Sequence, residues 1–292
     1  MTQNLKPWIP YAFIAPALIP LTVFVLGPIA YSGYLSLCDW SIVGSPEFVG
    51  FGHYSAIASS PKFLTALKNT FLFVFITVPV GLVLALGTAL LLNQPVRGRG
   101  VFRGIFFFPA IAPTIVLATL WGWLCSEHFG VFNKILIHFG MSPISWLTDP
   151  KFAFPTIMAM SIWKGFGYGM VIYLAGLQGI PLTYHEAATM DGANAAQRFR
   201  YVTWPLLAPT TLLILVLSVI GSFQVFDQVY VLTGGGPGYS TSVLVHYIYE
   251  EAFIRFRMDR ASAAAYILFA IIFVFTLIQM RVGDRDYQGE RT

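Results

Sequence analysis

Six apolar runs, at roughly 9–37, 69–92, 105–124, 152–178, 206–231 and 261–280, decide what this chain can become. Each is long enough to supply the ~20 helical residues that cross a hydrocarbon core. The expected fold is all-α and integral to the membrane, with six transmembrane helices in a single domain over residues 1–292. No internal repeat or low-complexity linker divides it. Proline and glycine inside the runs (Pro79, Pro109, Pro113, Gly165, Gly167, Gly169) imply kinks and close helix contacts.

Composition excludes a soluble domain: 57% of residues are hydrophobic and only 10% charged. The formal net charge of +4 comes with no basic patch of the size nucleic acid needs, so the excess is read as loop charges at an anionic membrane face. Cys38 and Cys125 define no disulfide framework and read as two free, small apolar residues. Lys6 followed by an apolar run from Ile9 looks like a signal peptide. That run continues to about Leu37, too long for such a segment, and no cleavage site closes it. It reads as a retained first membrane helix, bent by Pro10, Pro16, Pro20 and Pro28.

Orientation follows from lysine and arginine in short loops. Arg97, Arg99 and Arg103 cluster between the second and third runs with no acidic residue among them. Placing that loop in the cytoplasm puts both termini there, with Lys6, Arg281, Arg285 and Arg291, together with Arg198 and Arg200. Basic residues on the other side are offset by acidic ones.

Between the fourth and fifth runs lies a polar, small-residue segment, 183–205, containing EAATMDGANAAQRFRYVTWP. Thr183 and Glu186 have capping-box spacing, so a helix is expected to start near Tyr184. Asp191-Gly192-Ala193-Asn194 supplies a turn that tolerates a left-handed backbone and ends it after about two turns. A second amphipathic stretch follows, with Phe199 and Val202 three apart and Arg198 and Arg200 facing elsewhere. Pro205 suits the first turn of the next helix.

The spacing of Glu186-Ala187-Ala188, Gly192 and Pro205 resembles the EAA loop of binding-protein-dependent ABC importer permeases, with Val202 where isoleucine is usual and Trp204 where leucine is usual. Ala175 to Pro181, the Gly-Gly-Pro within Thr233 to Gly238, Ile248-Tyr249 and Ala252-Phe253 are similar to carbohydrate-uptake members. The resemblance implies the type I importer permease fold in the bacterial or archaeal cytoplasmic membrane, with 183–205 as a cytoplasmic coupling loop. Glu186, Ala187, Ala188, Asp191, Gly192, Arg198, Phe199 and Pro205 would dock an ATPase there. It also implies a second permease, two ATPase subunits and an extracytoplasmic solute-binding protein as partners, and alternating access as the mechanism. The subunit would be no enzyme: ATP and Mg²⁺ belong to the partner ATPase.

Chemistry-bearing patterns are sparse. No G-x-x-x-x-G-K-[ST] occurs, and the glycine-rich Thr233–Gly238 lacks the lysine and hydroxyl of a phosphate loop, reading by itself as a flexible turn. The histidines (His53, His128, His138, His185, His246) show no metal-ligand spacing, so no metal site is expected. Lys164 lies near the middle of the fourth run, where a charge costs about 2.5–3.5 kcal/mol, so it should face a cavity or a partner. Asp227 is expected near the outer end of the fifth, ~12 Å from the depth of Lys164 at helical rise, too far for direct pairing. Aromatic faces and amide or carboxylate groups bind sugars, which makes Trp163, Lys164, Tyr168, Tyr173, Phe223, Gln224 and Asp227 candidates for a translocation path. An ion-coupled secondary transporter working as a dimer is the alternative reading. The transported solute is not legible.

Overall fold

The computed structural model describes residues 9–40, 44–95 and 97–289, with backbone alone at residues 9, 10, 12 and 283–289. Lys6 and Arg291, counted for orientation, lie outside the described residues, as does the side chain of Arg285. Among the described residues, four helices are long and apolar enough to cross a membrane: α1 (Phe13–Leu35), α2 (Pro61–Asn93), α5 (Pro150–Gln178) and α10 (Met258–Val282). Two bent pairs bring the number to six if each is one span: α3 (Arg99–Ile111) with α4 (Thr114–Leu124), and α7 (Ala195–Leu206) with α8 (Ala208–Phe223). α6 (Leu182–Met190) precedes α7, and α9 (Asp227–Leu232) follows α8.

The prolines bend the runs, as expected of Pro113, and two of the bends are sharp enough to break a run into separate helices. The run 105–124 is broken by 99°. Pro113 disfavours the helical region for the residue before it, and Ala112 takes φ −67°, ψ 143°. The helical stretch before the break also reaches back to Arg99. The run 206–231 is shorter as a membrane helix, from Ala208 to Phe223, and α9 is a separate short helix. A 64° bend precedes α8, because Pro205 and Pro209 remove two ladder donors one turn apart. Two five-residue π turns, Thr22–Leu26 and Phe199–Thr203, each end two residues before a proline, Pro28 and Pro205. A widened turn is one way a helix accommodates a lost donor.

The chain divides into two compact units, Pro61–Tyr247 with Leu268–Thr292, and Met1–Ser60 with Ile248–Ile267. In the first, α5 packs on α2, α3 and α8 through small residues. A Cβ on Gly167 would overlap the carbonyl oxygen of Phe106 in α3, and one on Gly169 would lie 3.1 Å from the Ala85 side chain. Ala85, Ala89, Met170, Tyr173, Leu174 and Leu207 form a buried core there. Phe71, Phe223 and Phe275 make an aromatic cluster with centroids 5.3–6.0 Å apart. The glycine-rich stretch is pinned, not the flexible turn expected. Asn69 Nδ2 donates to the carbonyls of Ser240 at 3.0 Å and Ser242 at 2.9 Å, and Thr241 Oγ1 donates to Gly236 O at 2.7 Å. Gly234, Gly235 and Gly238 all have positive φ, and a Cβ on Gly235 would meet the His246 ring.

The second unit closes on an ionic cluster. The buried Asp259 carboxylate accepts from Arg257 Nε at 3.2 Å, Arg257 Nη2 at 2.9 Å and the Arg260 N–H at 2.7 Å. His53 Nε2 lies 3.5 Å from it and donates to Cys38 O at 3.1 Å. Donor atoms of Asp39, His53 and Asp259 lie within 4.8 Å of one another, a grouping of distant sequence positions that spacing could not show. Arg257 engages both oxygens of Asp259, so the group reads as an ion-pair cluster.

Cys38 and Cys125 are both buried and unbridged. Burial pushes the Cys125 thiol up to about 11. At pH 8 only about one in a thousand such thiols is ionised, because the thiolate population rises only as pH approaches that value. Cys125 is therefore expected to resist iodoacetamide at pH 8 until the protein is denatured, which mass spectrometry of the alkylated chain checks.

Candidate functional site

Two features of the first unit carry functional geometry. One is the loop after α5. α6 ends in a paired-bond turn, with the Gly192 N–H on Thr189 O at 3.0 Å and the Ala193 N–H on Ala188 O at 2.9 Å. Gly192 sits at φ +78°, the left-handed conformation expected of it. The entry to α6 differs from expectation. The helix begins at Leu182 directly behind Pro181, and no side chain caps it. Thr183 therefore lies inside the first turn and Glu186 closes nothing. A capping box does exist one helix later: Asn194 Oδ1 accepts from the Gln197 N–H at 2.9 Å, and Gln197 Oε1 from the Asn194 N–H at 2.8 Å. Asn-x-x-Gln was the signal, hidden because Asn194 also reads as a turn residue.

Arg198 Nη1 donates to Thr189 Oγ1 at 2.7 Å, tying the two short helices across the turn. Phe199 and Val202 are half-buried and Arg200 is exposed, as the amphipathic spacing implies. Arg198 is half-buried by its tie. Pro205 lies within α7, and Pro209 takes the first-turn position of the membrane helix α8. Glu186, Ala187, Asp191 and Gly192 are exposed and Ala188 half-buried. Glu186 makes no hydrogen bond or ion pair with a described residue. Beside it in sequence, Leu182 and Met190 leave 74% and 89% of their surface uncovered. An unengaged carboxylate among exposed apolar side chains is a surface suited to another protein.

The other feature is a cavity of about 380 Å³ lined from α2, α3, α5, α8 and α9. That volume falls within the ~300–1,000 Å³ typical of small-molecule sites. Its polar lining is Thr77, Ser161, Lys164, Tyr168, Ser218, Ser222 and Gln228. Of the sequence candidates it gathers Lys164 and Tyr168 only. Tyr173 is 1% exposed in the core and Phe223 is fully buried in the aromatic cluster. Trp163 packs on Trp121 at 5.8 Å, and Gln224 and Asp227 are exposed beyond the end of α8. Lys164 and Asp227 are not paired with each other, in keeping with the depth difference.

Sequence reasoning favoured aromatic residues and passed over hydroxyls and glycines. Ser218-x-x-Gly221-Ser222 places small residues on one helical face, a signal that was available. Gly81, Gly165 and Gly221 line the cavity from three helices, and a Cβ on any of them would meet nothing within 4 Å. Their lack of side chains keeps the space open.

Comparison with known proteins places the chain in one family. Residues 77–285 match the family described as binding-protein-dependent transport system inner membrane component. The chain is 36% identical over 277 residues to the trehalose/maltose transport system permease protein MalF of Thermococcus litoralis, spanning 94% of this chain and 92% of that one. It is 34% identical over 282 residues to the sn-glycerol-3-phosphate transport system permease protein UgpA of Agrobacterium fabrum, spanning 95% of each. A chain in the crystal structure of a bacterial alginate ABC transporter in complex with alginate pentasaccharide-bound periplasmic protein matches with a TM-score of 0.85 at 25% identity. That match covers 95% of this chain and 94% of the other.

Proposed function

The chain belongs to the binding-protein-dependent transport system inner membrane components, and from that premise we propose that it is the membrane-spanning permease subunit of an ATP-driven importer of a sugar or similar polyol-type solute. The relatives that support this class are named for trehalose/maltose and for sn-glycerol 3-phosphate transport. The single observation that carries the reading is the loop of 183–205, with an exposed, unengaged Glu186 held on a sharply terminated helix inside the matched region.

In this reading the two compact units make one permease domain in the cytoplasmic membrane, both termini cytoplasmic. A second permease, two ATPase subunits and an extracytoplasmic binding protein complete the assembly. ATP and Mg²⁺ sit on the ATPase. Glu186, Ala187, Ala188, Asp191 and Gly192 form the docking helix and its stop. Arg198 fixes the second short helix against it, and Phe199 and Pro205 carry the motion towards α8. Closure of the ATPase dimer moves this pair as a unit, because the Arg198–Thr189 bond and the Gly192 turn resist independent movement. The spans reorient, and solute from the binding protein enters the cavity beside Lys164 and Tyr168.

Reconstitution of the whole transporter in proteoliposomes tests this. Uptake of sugars from a panel should require ATP and the binding protein. Uptake that persists without ATP when a proton or sodium gradient is imposed would overturn it.

A further inference from the structure

Among the described residues Lys164 is the only charged side chain lining the cavity, and no carboxylate is part of the lining; Asp227, next to the lining residue Gln228 on α9, is exposed outside it. It makes no hydrogen bond or ion pair with a described residue. An ammonium carries three donors and no acceptor. It is half-buried within a helix long enough to cross a membrane, and an anion that reaches it is bound by a charge-assisted bond stronger than a neutral one. The hydroxyls nearby add acceptors: Ser161 spends its own hydrogen on the carbonyl of Ile157 at 2.8 Å, so its oxygen is left to accept, while Thr77 donates to Phe73 O at 2.7 Å and lies 3.5 Å from Ser222 Oγ. Ser218 and Gln228 add groups able both to donate and to accept.

Resting on the importer reading, we propose that Lys164 selects the charge of the cargo. The solute is a carbohydrate-class molecule carrying one anionic group, a carboxylate, phosphate or sulfonate, which Lys164 neutralises while Ser161, Ser218, Ser222 and Gln228 meet its hydroxyls. The glycines at 81, 165 and 221 leave the room that a ring and its substituents need.

The test is calorimetric binding to the assembled transporter, both permeases and both ATPases, without the binding protein. The probes are sn-glycerol 3-phosphate, digalacturonate and a sulfonated hexose, with maltose as the neutral control. At least one anionic probe should bind about tenfold or more tighter than maltose, and which one binds identifies the anionic group. Lys164→Met should lose that factor of about ten, and Lys164→Arg should retain most of it. Gly165→Leu, which fills the cavity where a Cβ meets open space, should weaken every probe. ATP hydrolysis by each variant complex reports folding and assembly. Maltose binding as tightly as the anions, failure of all anionic probes, or an anion affinity unchanged in Lys164→Met would each overturn the proposal. Failure of the chain to assemble with an ATPase would instead remove the importer reading beneath it.

Discussion

Glu186→Lys is expected to reduce ATP-driven uptake by about 30-fold or more, the factor that ~2 kcal/mol of lost interface energy corresponds to. The ATPase subunit should be lost in the same variant when the complex is pulled down through a tag on this chain. The expectation rests on where the side chain is and what it does not do. Glu186 is exposed on α6, caps nothing and makes no bond or ion pair with a described residue. Reversing its charge therefore leaves the chain's own contacts intact, and the melting temperature of the isolated subunit in detergent should not move. Uptake and pull-down unchanged in Glu186→Lys would remove the docking role. A fall in melting temperature together with lost uptake would mean that Glu186 holds the fold.

Gly167→Ala should destabilise the protein by about 3 kcal/mol or more, and Gly167→Val should prevent folding. Overpacking a core costs typically about 1–3 kcal/mol when side chains can give way. Here the obstacle is backbone: the added Cβ would overlap the Phe106 carbonyl and crowd Phe107 Cα, so α3 and α5 must separate. Gly165→Ala, two residues earlier in the same helix, meets nothing within 4 Å. It should gain up to about 1 kcal/mol from helix propensity. Thermal melts of the two alanine variants side by side, followed by fluorescence-detected size exclusion, check the contrast. Equal melting temperatures would show that α3 and α5 do not approach as closely as described.

Periodicity and length made the membrane helices legible, because an apolar run of about 20 residues has few other uses. The loop after α5 was legible in outline, since Gly192 can do what few residues can at positive φ. What escaped depends on three-dimensional neighbours. Pro113 announces a kink, yet whether a proline yields a π turn or a 99° break depends on what packs beside it. Tyr173 and Phe223 look like sugar-stacking residues in one dimension, and only their neighbours make them core. The glycine-rich stretch looks loose until Asn69, 171 residues from Ser240, is found holding its carbonyls. The cavity was half legible: a lysine in a membrane run asks for a space, whereas serines and glycines are common helix-packing residues and do not announce one.

No residue in the apolar window of α1 is buried within the chain. Its C-terminal half is tied by Tyr266, whose hydroxyl donates to Ile29 O at 2.6 Å across a separation of 237 residues, with Gly33 flush beneath the ring. At a translation rate of about 5–20 residues per second, roughly 12–50 s pass before that tyrosine is made. For that interval α1 stands in the bilayer on partition energy alone. A polar substitution in its middle should therefore act during insertion, redirecting the nascent chain to the wrong side of the membrane. The damage would be one of topology, and no stabilised variant of the finished protein could repair it.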